Sequence, residues 1–135
     1  MGDLVKYLLE NRVQILSRIG RDKKVKSSPF MFILEHDKKL WYCTNNTKEI
    51  YKDLQNDPNL ELTIFSKDYS SWIRIEAQAV FENNKEVKIR TLEENKGILE
   101  IYKSWDNPIF EVFYLSNVHA VIGNFAGKII KEFNL

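Results

Sequence analysis

From Trp72 to Phe81 the chain reads WIRIEAQAVF, with Ile73, Ile75, Ala77, Ala79 and Phe81 on one parity and Arg74, Glu76 and Gln78 on the other. A period of two puts all five apolar side chains on one face of a pleated strand, which a helix cannot do. Weaker versions of the signature return at Val13 to Ile19, Phe30 to Glu35, Leu40 to Thr44, Leu60 to Phe65, Ile109 to Leu115 and Val118 to Phe125. Turn-prone Gly20-Arg21-Asp22, His36-Asp37-Lys38 and Ser116-Asn117 separate neighbouring runs and predict antiparallel returns. Pro29 cannot donate to a ladder, so it predicts an interruption at an edge or bulge, with the strand resuming at Phe30.

Helical periodicity is confined to three places. Leu4, Val5, Leu8 and Leu9 share a face behind Asp3, a good N-cap. Ile50, Tyr51 and Leu54 do so after Asn46 and Glu49, which have capping-box spacing, and Asp57-Pro58 closes that helix. Lys85 to about Tyr102 forms the third, with a break predicted at Gly97. Six or seven strands and three short helices without a βαβ rhythm predict a mainly β fold: one antiparallel barrel with appended helices, spanning 1–135 as a single domain.

Twenty Lys and Arg balance nineteen Asp and Glu, so no global field points to nucleic acid or an anionic membrane. No apolar run approaches the ~20 residues of a membrane span, and the N-terminus lacks a leader pattern. With Cys43 as the one cysteine, the chain is expected to be cytoplasmic. Five glycines, at 2, 20, 97, 123 and 127, form neither a dinucleotide fingerprint nor a phosphate loop. His36, His119 and the lone cysteine offer no metal-ligand spacing, so no metal is expected.

Two anion features remain. Arg21, Lys23, Lys24 and Lys26 cluster on one extended stretch. The junction Cys43-Thr44-Asn45-Asn46-Thr47-Lys48 passes from strand to helix, where free N–H groups and the helix dipole attract anions. Antiparallel return would bring the two towards one end of the sheet.

The order of these pieces resembles the short pyridoxamine-phosphate-oxidase-like proteins. The resemblance is carried by Ser28-Pro29-Phe30, the run Phe32 to Thr44, Asn46-Thr47-Lys48, Asn56-Asp57-Pro58, Ser71 to Ile75 and Asn107 to Phe113. It implies a six-stranded antiparallel split barrel of the FMN-binding type and a homodimer, with flavin mononucleotide (FMN) in two clefts at the subunit interface. By position, Lys26, Ser27, Ser28, Pro29 and Phe30 would pass the isoalloxazine edge, Cys43 and Thr44 would face it, Thr47 and Lys48 would hold the phosphate, and Trp72 would lie beside the ring. Trp105 to Phe110 would reach the partner's cofactor. Ser28 and Met31 stand where short relatives commonly have arginine and glycine. The arginine-bearing C-terminal extension of authentic pyridoxamine-phosphate oxidases has no counterpart here, so that reaction is not expected.

The implied function is a flavin-dependent oxidoreductase with an unnamed small-molecule substrate. In such a protein the cofactor carries the redox chemistry and no side chain need act as acid or base. The alternative is a non-enzymatic dimeric module that holds flavin or haem, or a cofactor-free stress protein.

Overall fold

The computed structural model describes all residues from Met1 to Leu135. In chain order the elements are α1 (Gly2–Glu10), β1 (Val13–Ile19), β2 (Val25–Met31), β3 (Leu34–His36), β4 (Lys39–Asn45), α2 (Glu49–Asn56), β5 (Asn59–Phe65), β6 (Trp72–Phe81), α3 (Lys85–Glu94), α4 (Lys96–Tyr102), β7 (Phe110–Gly123) and β8 (Ile129–Asn134). All strands join one antiparallel sheet in the order β2-β1-β5-β6-β7-β4-β3, and β8 pairs with β7. The six longer strands of that path make the split barrel, and the three-residue β3 and the C-terminal β8 are added to it. The two ends of the path, β2 and β3, are consecutive in the chain with only Phe32 and Ile33 between them. One extended segment therefore starts against β1 and finishes against β4, curling the sheet towards closure without closing it.

Alternation explains which strands carry which load. On β4, Leu40 and Tyr42 point into the barrel core with Leu62, Ile64, Ile73, Ile75 and Phe113, while Trp41 packs into a second, smaller core with Val87, Leu92, Tyr102 and Phe110. Both faces of β4 are thus covered, which is why its sequence is apolar without a gap. Helix α1 adds Leu4 and Leu8 to the barrel core, and α3 with α4 roof the smaller one.

Several local expectations are corrected. Pro29 stays within β2, tolerated because β2 is an edge paired only with β1, and the interruption falls later, at Phe32-Ile33. Ser116-Asn117 is not a turn. The strand β7 runs straight through it, with Asn117 at φ 51° and two residues opposing Ala77, a β-bulge. The turn lies at Asn124–Gly127, where Gly127 takes φ 86°, and it leads into β8, which the sequence reading missed. Only Phe133 of β8 is buried, so the strand has almost no hydrophobic pattern to betray it. The third helical region is two helices, broken at Asn95 rather than Gly97. Asp3 lies in the first turn of α1, ion-paired to Lys131, and does not cap it. The Asn46/Glu49 capping box does not form: Lys48 occupies the cap position, and the Asn46 amide donates to the Pro108 carbonyl and the Glu111 carboxylate instead.

In β1, Gln14, Leu16 and Arg18 face inward, while the apolar Val13, Ile15 and Ile19 face out.

Candidate functional site

The parity of β1 sends a guanidinium towards the interior. Arg18 is only 7% exposed, and its Nε donates to Asp53 Oδ2 at 2.9 Å. Asp53, on the inner face of α2, is 3% exposed and also accepts at Oδ1 from the Arg21 N–H (3.1 Å) and Arg21 Nε (2.9 Å). Arg21 in turn pairs with Glu49. Burial pushes the Asp53 carboxyl up, but hydrogen bonds from Arg21 and Arg18 outweigh it and hold the group below the usual carboxylate range. This network ties the end of β1 and the following turn to α2. A Cβ at Gly20 would lie 2.6 Å from Asp22 Oδ1 and 2.8 Å from Lys26 Cε, so a larger residue there would displace the ion pair that these two exposed side chains form at 2.9 Å.

Two adjoining clefts open over the network. One, of about 410 Å³, is lined by Arg18, Arg21, Asp22, Lys26, Glu49 and Asp53. The other, of about 270 Å³, is lined by Arg18, Ser28, Pro29, Phe30, Lys48, Glu49 and Ile50. Ser28 Oγ accepts from Arg18 Nη1 at 3.0 Å. Lys48 forms none of the ion pairs made around α2.

Against this geometry the sequence-derived site divides. Ser28, Pro29, Phe30 and Lys48 converge on the smaller cleft and Lys26 on its neighbour. Ser27 has the opposite parity and meets Ser17 Oγ at 3.0 Å on the outer face. The Thr47 N–H and hydroxyl both donate to Asn45 Oδ1, at 3.1 and 2.5 Å, so the threonine closes a local turn. Cys43 packs against the smaller core, and burial pushes its thiol up to about 12, with Lys48 pulling weakly the other way; it stays protonated at neutral pH. Thr44 is buried on the interior parity, its hydroxyl without a hydrogen-bond partner.

Trp72 lies elsewhere. Its register partners are Phe65 and Gly123, and Gly123 is eleven residues along β7 from Val112, the partner of Cys43, or about 35 Å of strand. The indole rests on Gly123, where a Cβ would come within 2.5 Å of the ring, and its Nε1–H donates to the Asn124 carbonyl at 3.2 Å. Of Trp105–Phe110, the Phe110 ring is fully buried and stacked on Tyr102 at 4.7 Å, which removes it from any reach to a partner.

Arg18 and Asp53, which organise the site, were not singled out in the sequence. Their signal is the placement of Arg18 two residues from Leu16 and four from Gln14, legible only once the parity of β1 is known.

The outer face of β1 and β2 is largely apolar around the Ser17–Ser27 pair. Val13 and Val25 are each 73% exposed, Ile15 and Ile19 are partly so, and Pro29, paired with Ile15, joins this face to the lip of the smaller cleft. No helix is long and apolar enough to cross a membrane.

The architecture of a curled antiparallel sheet whose ends meet through one shared segment, with a charged cleft between β2 and the start of α2, defines a split barrel. Solved structures share this fold, among them proteins related to pyridoxamine-phosphate oxidase, the kind that the sequence resembles. A NimC/NimA family protein of Clostridium acetobutylicum superimposes with a TM-score of 0.88 at 28% identity over 100% of this chain and 93% of its own. A pyridoxamine 5'-phosphate oxidase-related, FMN-binding protein of Nostoc punctiforme has a TM-score of 0.70 at 12% identity, over 94% of this chain and 85% of its own. A haem-binding protein of Mycobacterium smegmatis shares the fold at 0.70 and 16% identity, over 95% of this chain but 55% of its own. No family model and no curated protein matches the chain.

Proposed function

We propose that this chain is an FMN-binding, flavin-dependent oxidoreductase that acts as a homodimer, with the cofactor in the cleft between β2 and the start of α2. The observation that carries the reading is the convergence of Ser28, Pro29, Phe30 and Lys48 on one cleft. Four positions, two of them twenty residues apart, meet on a fold shared with an FMN-binding neighbour.

The donor set suits the group. Lys48 supplies positive charge at the phosphate end, while the β2 backbone at Ser28 to Phe30 offers an edge along which a planar ring can lie. When bound, FMN supplies the hydride or electron transfer. The chain's own residues orient and enclose. Cys43 is protonated and half-buried on the other face of β4, so it contributes neither a nucleophile nor a base. The lining holds none of the commonest axial ligands to haem iron, His, Cys, Met or Tyr. That favours flavin over haem.

The exposed apolar face of β1 and β2 supports the dimer. A second copy lying on the exposed Val13, Ile15, Ile19 and Val25 face would add a wall beside Pro29 and remove that apolar surface from water.

The test is the visible spectrum of the freshly purified protein together with its mass in solution. Bands near the flavin maxima and a mass of twice the chain are expected. A colourless protein that quenches no flavin fluorescence on reconstitution overturns the cofactor, and a monomer at micromolar concentration overturns the dimer. A flavin-loaded protein that oxidises no reduced nicotinamide with any acceptor would be the storage or sensing module instead.

A further inference from the structure

The most heavily built polar feature of the molecule is the guanidinium of Arg18. It is buried and fixed at Nε by Asp53, and Nη1 reaches Ser28 at the lip of the smaller cleft. Asp53 answers both Arg18 and Arg21, and Arg21 pairs with Glu49 as well. Lys48 stands on the same cleft with no carboxylate partner. Across the two adjoining clefts four cations, Arg18, Arg21, Lys26 and Lys48, face three carboxylates, Asp22, Glu49 and Asp53. The excess is one positive charge, and Lys48, the cation without an ion-pair partner, carries it on the smaller cleft. Because Ser28 Oγ accepts from Arg18, its own proton is free to be donated. A planar fork in fixed orientation, a hydroxyl donor and a flexible ammonium together match a phosphate monoester. The fork gives geometry, and the ammonium gives charge.

We propose that Arg18 anchors the phosphate monoester of the ligand, with Ser28 and Lys48 as co-donors, and that Asp53 and Arg21 position the guanidinium. The proposal builds on the FMN reading but moves the anchor from the Asn45–Lys48 turn, where Thr47 is engaged with Asn45, to the inner face of β1. It also gives Ser28 a role: a small side chain there leaves room for the arginine that enters from the neighbouring strand.

The experiment compares FMN with riboflavin, which has the same ring and no phosphate, by flavin fluorescence quenching on the full chain and an Arg18→Gln variant. Inorganic phosphate is titrated in parallel by ³¹P NMR. The wild-type chain is expected to prefer FMN over riboflavin by at least about tenfold, since charge-assisted hydrogen bonds are strong. In Arg18→Gln that preference collapses towards unity while riboflavin affinity holds. A preference unchanged in the variant overturns the inference and leaves the flavin reading standing. Conversely, if the wild type binds neither flavin but broadens the phosphate resonance, and Arg18→Gln does not, the flavin reading fails and the anchor survives. No flavin preference and no phosphate binding by the wild type overturn both. Should Arg18→Gln fail to fold because Asp53 is left unpaired, the Arg18→Gln/Asp53→Asn double variant removes both charges and is read in the same way.

Discussion

The two ends of the barrel treat their polar and aromatic residues in opposite ways. At the α2 end, the exposed Arg21 covers the buried Arg18–Asp53 pair, and an open cleft with surplus positive charge lies above them. At the far end of β6 and β7, Trp72 folds onto Gly123, its N–H already donated to Asn124, with Arg74 over the ring at 5.0 Å. Both ends hold residues that the family resemblance assigns to one cofactor. Within one chain only the first has the form of a site, and the second is packed shut. A motif can therefore be present in order and spacing while its members stand at opposite ends of a fold, to be joined, if at all, across two copies.

The sharpest way to break the contrast is at Asp53. Asp53→Ala leaves a buried guanidinium without its carboxylate, and such uncompensated charges cost about 3–5 kcal/mol. Denaturant titration is expected to show a loss of that order; a loss below 1 kcal/mol would mean the network is slack and the α2 end is no more ordered than a surface. Acid tests the same group. Its folded pKa is depressed, so the stability it confers is complete above its unfolded pKa, near 3.9, and is lost as pH falls through the lower folded value. Wild-type stability should therefore decline below about pH 4, and that part of the decline should be absent in Asp53→Asn. Equal acid profiles for the two proteins would remove Asp53 from the account.

Next in size is Lys48→Glu, which puts a negative charge where the cleft has its surplus cation. FMN affinity is expected to fall by at least 1.5–3 kcal/mol, roughly the worth of a charge-assisted hydrogen bond, with unfolding stability nearly unchanged because Lys48 joins no ion pair around α2. Unaltered affinity, measured by fluorescence quenching, would take Lys48 out of the site. At the opposite end Gly123→Ala should do the reverse. The new methyl would intrude on the Trp72 ring, and overpacking of this kind costs about 1–3 kcal/mol, without touching the cleft.

How much of this could be read from the chain depends on what each residue's neighbours are. Strands such as β6, with one covered face, show their alternation plainly, and the edge position of Pro29 follows from its missing N–H. Where packing covers both faces, as at β4, or almost none, as at β8, the period disappears. The bulge at Asn117 looked like a turn because both need a residue tolerant of positive φ. The cleft was half visible: Ser28 to Phe30 and Lys48 carry local signals. Arg18 and Asp53 do not, because an arginine on a strand is read as solvent-facing until register fixes its parity. Here the apolar Val13 and Ile15, which face out, argue for the wrong side.

Trp72→Phe has the smallest expected effect and decides most about how the two ends relate. The substitution removes the Nε1–H donation to the Asn124 carbonyl and the outer part of the indole that lies on Gly123, so stability should drop by about 1–1.5 kcal/mol. If Trp72 serves its own end of the barrel alone, FMN affinity stays within twofold of wild type. A larger loss of affinity, with the mass of the dimer unchanged, would show that the indole of a second copy reaches the flavin. The packed end would then be the missing wall of its neighbour's cleft, and the contrast between the two ends would hold only within a single chain.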